Sequence, residues 1–86
     1  MKLLKAAVKG EGYKSREEAY LLPEKKQFKI LFTEPDREAL GANSIWVRKT
    51  QVSYFLDYEG AEEAFLQIVK DRNLMIIPIR IEPTKN

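Results

Sequence analysis

The chain has 86 residues, no cysteine and no histidine, and 15 Lys/Arg against 13 Asp/Glu for a net charge of +2. The two absences exclude disulfides, thiolate nucleophiles, Cys- or His-ligated metals, Ser-His-Asp triads and a side chain that titrates near neutrality. The length allows one modest core, and a hydrophobic fraction of 44% is that of a globular chain.

The first residues, MKLLKAAVKG, are interrupted by Lys5 and Lys9, and the longest apolar stretch, 74–79, is far below the roughly 20 residues of a membrane span. The expectation is a cytoplasmic protein with no membrane association. Charge is uneven: residues 1–49 carry 11 Lys/Arg and 7 Asp/Glu, whereas residues 50–86 carry 4 and 6. The imbalance points to a basic and an acidic side, far short of a dense nucleic-acid-binding patch.

Residues 2–9 alternate as a half-buried strand closed by Gly10-Glu11-Gly12. Residues 15–22 admit two readings. Ser15 and Glu18 have capping-box spacing for a helix ending at Pro23. Alternatively, residues 19–22 and 27–32 form a hairpin with Pro23 at the second position of a four-residue turn, which fits slightly better. Phe28, Ile30 and Phe32 alternate with Lys29 and Thr33, predicting a strand over 27–33. Thr33, Asp36 and Gly41 have the spacing of cap and stop around a short helix over 34–41.

Residues 44–49 and 52–58 are strand-like, separated by a bend near Thr50-Gln51 or joined as one long bent strand. Over 60–72, Ala61, Ala64, Phe65, Ile68 and Val69 form a helical stripe. Glu59, Glu62 and Glu63 lie near its start, Lys70 and Arg72 near its end, and Asn73 suits the left-handed stop. Leu66 lies off the stripe. Residues 74–82 form a last strand, which Pro78 confines to a sheet edge or a bulge.

The expected fold is α+β: a mostly antiparallel sheet of about five strands packed by one main helix, either open or curled towards an open barrel. It makes a single domain over 1–82, with a flexible tail at 83–86.

No phosphate-binding loop, dinucleotide fingerprint, calcium loop or nucleophile elbow is present. Asp57, Glu59, Glu62 and Glu63 cluster near the helix start, but acidic residues favour that place without any ligand. No catalytic, cofactor or metal residue is assigned, and the chain reads as a non-enzyme.

The informative stretch is 44–51. In strand geometry Trp46, Arg48 and Thr50 share an exposed face while Ile45 and Val47 face the core. An aromatic ring beside a guanidinium, extended by Lys49 and by Lys29 on a neighbouring strand, can hold bases and phosphates. Equally, Trp46 can pack on a surface cluster with Arg48 stacked on it. Tyr54 and Tyr58 add the residue type of protein–protein hot spots.

Together these features favour a small protein-binding adaptor or inhibitor, a size class that includes accessory proteins of phages and mobile elements. It would bind a protein partner or a second copy of itself, through the edge strand 74–82 or the Tyr/Trp surface. The competing reading is a nucleic-acid-binding module using the basic, aromatic strand face. The candidate binding residues are Trp46, Arg48, Lys49, Lys29, Tyr54 and Tyr58.

Overall fold

The computed structural model describes residues 3–79. Its elements run β1 (Lys5–Lys9), β2 (Glu17–Glu24), β3 (Gln27–Leu40), β4 (Asn43–Phe55), α1 (Tyr58–Arg72) and β5 (Met75–Ile77). The strands form one antiparallel sheet in the order β4-β3-β2-β1-β5, open at both ends and packed on one face by α1. This is the expected α+β fold, with the sheet open and not closed into a barrel. The tail over 83–86, the last residues of the strand expected over 74–82, and the start of the strand expected at residue 2 lie outside the described residues.

The hairpin reading of 15–32 is the one the chain adopts. Glu24 pairs with Gln27 across a two-residue turn in which Lys25 takes a left-handed φ of 56°. The turn is therefore shifted from the expected position, and Pro23 stays in β2 opposite Phe28. It is tolerated because, in this phase of the ladder, its nitrogen faces the β1 side. There β1 has not yet begun: Lys5, opposite Leu21, is its first residue.

The short helix expected over 34–41 is absent. Residues 34–40 continue β3, and Gly41-Ala42 is a second two-residue turn, with Gly41 at φ +63°. Pro35 fits for the same reason as Pro23. Its nitrogen points to the β2 side, where β2 has ended at Glu17. β3 and β4 then pair without a register break from Phe28↔Phe55 to Leu40↔Asn43, so 44–55 is one long strand with no bend at Thr50. Beyond Thr33, the last β3 residue paired to β2, this hairpin continues as a two-stranded arm.

Ala7, Ala19, Leu21, Ile30 and Phe32 line the covered face, and Ala61 and Phe65 press on them from α1. Phe65 is completely buried. The small Ala7 and Ala19 let the helix approach, while Ala64, Ile68 and Val69 flank the contact. The helix starts two residues before the expected 60, because Asp57 is its N-cap: its Oδ1 accepts from the Gly60 N–H at 2.6 Å. Asn73 ends the helix in the left-handed conformation, as expected, and Leu66 is exposed.

Phe65→Ala should therefore cost about 3–5 kcal/mol, most of the stability of a small domain. Asp57→Ala should cost about 1 kcal/mol, and Leu66→Ser almost nothing. Urea unfolding followed by circular dichroism would rank the three; a Phe65→Ala midpoint near wild type would overturn the placement of the core.

Candidate functional site

Side chains alternate across the sheet, so the register assigns every residue to a face. The face away from α1 carries Val8 on β1, Tyr20 on β2, Leu31 on β3 and, at the flanks, Val52 and Tyr54 on β4 with Met75 and Ile77 on β5. Ala6 and Leu22, in the middle, are buried. Val8, Tyr20 and Leu31 are half-buried. The flanks stand in solvent: Tyr54 is 57% exposed, Val52 47%, Met75 74% and Ile77 38%.

Four of the six candidate residues lie on this open face: Lys29, Trp46, Arg48 and Tyr54. Lys49 points to the other face, opposite Glu34, and Tyr58 left the strand to open the helix. There its ring meets Phe28 edge-on at 5.7 Å and its hydroxyl donates to Glu62 at 3.0 Å. Burial and that bond to a carboxylate raise the Tyr58 pKa. Ile45 and Val47 do not reach the core. They sit on the arm beyond the helix, Ile45 exposed and Val47 half-buried.

The expected cationic track is broken up by internal partners. Lys29 Nζ donates to Glu24 at 3.0 Å. Arg48 donates to the Tyr13 carbonyl at 3.1 Å and to Thr33 Oγ1 at 3.3 Å, and lies 3.6 Å from Glu18. Its guanidinium also lies 5.9 Å from the centre of the Tyr13 ring. Arg48 thus ties the base of the arm to β2 and to the 10–16 loop. That loop closes tightly: at Gly10 (φ +81°) a β-carbon would come within 2.6 Å of the Ser15 carbonyl oxygen.

The cation beside Trp46 is Arg37, directly across the ladder, with its guanidinium 5.2 Å from the ring centre and donating to Ser44 Oγ at 2.6 Å. Arg37 was hidden in the sequence because Asp36-Arg37-Glu38-Ala39-Leu40 has a helical composition. Only the pairing of 34–40 with 43–49 sets it opposite Trp46. The signal for that pairing was the two-residue gap at Gly41-Ala42 before a β-rich run.

On the covered face, Arg72 at the end of α1 reaches Glu17 (3.7 Å) and Glu34 (3.2 Å) while lying over Phe32 at 4.9 Å. Two of the four acidic residues near the helix start have structural partners: Asp57 caps, and Glu62 meets Lys5 at 3.4 Å. Among the described residues no three acidic side chains converge as a metal site would require. A shallow concavity of about 450 Å³ lies between Val8, Lys9, Gly10, Glu11, Asn73 and Met75, with no grouping of acid, base and nucleophile. No helix among the described residues is long and apolar enough to cross a membrane.

No protein-family model matches the chain, and neither the curated proteins nor the solved structures contain one significantly similar to it.

Glu18 is the hub of the polar part of the open face. The Tyr20 hydroxyl donates to it at 2.6 Å, and Arg16 and Arg48 lie beside it. The Tyr20 bond, then the two cations, hold its pKa below the ordinary value against partial burial. A depressed carboxylate pKa stabilises the fold above the unfolded-state value, near pH 4.3, and that contribution fades as pH falls through the folded value. Glu18→Gln should lower stability at pH 7 by at most about 1 kcal/mol and flatten the decline between pH 5 and 3. Urea titrations of both proteins across that range check this; parallel profiles would refute it.

Proposed function

We propose that this chain is a small non-enzymatic protein-binding adaptor or inhibitor. The observation that carries the reading is the open face of the sheet, where Val52 and Tyr54 stand exposed on the β4 flank and Met75 and Ile77 on the β5 flank. Exposed aliphatic and aromatic side chains with few free charges suit a protein partner. They suit a phosphate backbone poorly, because Lys29 and Arg48 are already engaged by Glu24 and Glu18. In this reading Tyr54 supplies contact area near the helix end of β4 and Trp46 a rigid aromatic on the arm, roughly 26 Å along the same strand, with Arg48 and Lys29 holding the surface between them in shape.

The nucleic-acid reading keeps one supporting observation, the Arg37–Trp46 stack on the arm, an aromatic and a cation side by side near solvent. The two readings separate in solution. In the protein-binding reading, Trp46 fluorescence stays unchanged when short single-stranded oligonucleotides are added at low salt. Quenching that weakens as salt rises would reverse the ranking, since phosphate contacts release counterions.

In parallel, crosslinking in the source cells should recover a defined partner with the wild-type chain. That partner should be lost with Met75→Asp or Ile77→Asp on the open face and retained with Glu63→Lys on the exposed side of α1. Equal recovery by all four proteins would refute the open face as the binding surface.

A further inference from the structure

We propose that the underside of the arm, which continues the sheet face that α1 covers, is a docking surface for an amphipathic helix of a partner protein, one that carries basic residues beside an aliphatic row. The proposal does not rest on the function given above, which concerns the opposite face of the sheet.

Alternation places Asp36, Glu38 and Leu40 of β3 on this underside, opposite Val47, Ile45 and Asn43 of β4. It is the side that also carries Ile30 and Phe32, on which α1 packs. The helix ends at Arg72, beside Glu34 at the base of the arm. Beyond that point Leu40 is 64% exposed and Ile45 45%, Asp36 and Glu38 are exposed, and Val47 is half-buried. Aliphatic side chains on a sheet face that its own helix stops short of are the kind of surface that a second element covers.

The register sorts these side chains into two parallel rows. β3 supplies the carboxylates and β4 the aliphatics, with Asp36 opposite Val47 and Glu38 opposite Ile45. Neighbours within a row are about 6.8 Å apart. Residues i and i+4 of a helix are separated by about 6 Å along its axis. A helix laid along the arm therefore sets one row of its residues on Ile45 and Val47 and an adjacent row on Asp36 and Glu38, nearly in step.

The contact between α1 and the sheet shows which chemistry the carboxylate row takes. On the body of the sheet α1 lays Ala61 and Phe65, four residues apart, on the apolar core. Its Arg72 reaches Glu34 at 3.2 Å, and Glu34 is the first carboxylate of the row that Asp36 and Glu38 continue. Asp36 accepts from the Arg37 N–H at 2.8 Å. Among the described residues neither Asp36 nor Glu38 has a cationic partner, and Lys49 lies at the inner end, opposite Glu34. The docked helix supplies to Asp36 and Glu38 what Arg72 supplies to Glu34. Phosphates are repelled by the same two carboxylates, which sets nucleic acid aside for this face.

The probe is an Ala-based synthetic peptide of about 16 residues, with a row of Lys at i, i+4 spacing beside a row of Leu at the same spacing. Titrating the labelled peptide with the whole chain at low salt should show saturable binding by fluorescence anisotropy, with a Kd below about 1 mM. A version with Glu in place of Lys, and a scrambled version of the same composition, should each bind about fivefold more weakly or worse. Glu38→Lys should weaken binding of the Lys peptide about fivefold and reverse the preference towards the Glu peptide. Glu63→Lys makes the same change of charge on the exposed side of α1 and should leave the Kd unchanged. No saturable binding, equal binding of the scrambled peptide, or equal effects of Glu38→Lys and Glu63→Lys would each overturn the proposal. So would sedimentation showing that copies of the chain pair with one another through the arm. Should Glu38→Lys fail to fold, amide shifts of the wild-type chain decide: the peptide should move residues 36–47 most, and larger shifts elsewhere would refute the site.

Discussion

One helix cannot cover two faces of a sheet, and this shortage of cover governs what the molecule exposes. α1 has 15 residues, about 22 Å of helix. β3, with 14 residues, is about 46 Å long when extended, and the sheet has two faces. Phe65 and Ala61 can seal only the middle of one of them, against Leu21, Ile30 and Phe32. Everything beyond that contact is left to pairwise devices. Arg72 braces β2 and β3 through Glu17 and Glu34, Arg48 latches the arm to the 10–16 loop, and Arg37 stacks on Trp46. An isolated two-stranded ribbon is marginal in water, so the arm depends on those contacts.

The same arginines that could have formed a ligand surface are therefore occupied in holding the sheet together. Four of the six candidate residues share the open face, yet Lys29 and Arg48 each have an acidic partner in the same chain. Among the described residues, the flanks of the open face expose apolar side chains and the outer edge of β4 exposes backbone. Both are features of recognition by packing and ladder hydrogen bonds rather than by charge.

The sequence disclosed the periodic parts of this fold and concealed those set by long-range pairing. The helix stripe, the Asn73 stop, the exposed Leu66 and the edge position of the last strand were all legible, because each follows from local spacing or a single residue's conformational limits. The segment 34–41 was not. Its cap-like Thr33, its Asp36, Arg37, Glu38, Ala39 and Leu40, and its Gly41 satisfy local helix rules, and cross-strand pairing with 43–49 overrides them. Pro23 and Pro35 misled for a related reason. Proline is unfavourable in a strand only where its nitrogen faces a neighbour, and whether a neighbour is present depends on where β1 and β2 end. The site suffered the same blindness: face assignments for Trp46, Arg48 and Tyr54 follow from alternation, but the partner of Trp46 depends on a register that no local pattern encodes.

The short last strand has a consequence for the order in which the molecule assembles. β2, β3 and β4 follow one another through two-residue turns, so their pairing closes only small loops. β5 reaches β1 through pairs as far apart as Ala6 and Ile77, the most distant strand contact along the chain, and loop-closure entropy makes such a contact late to form and early to open. With only three paired residues and exposed side chains, β5 is the part of the sheet with least to hold it. Amide exchange should find it the first strand to lose protection, exposing the edge of β1 while the central meander stays intact.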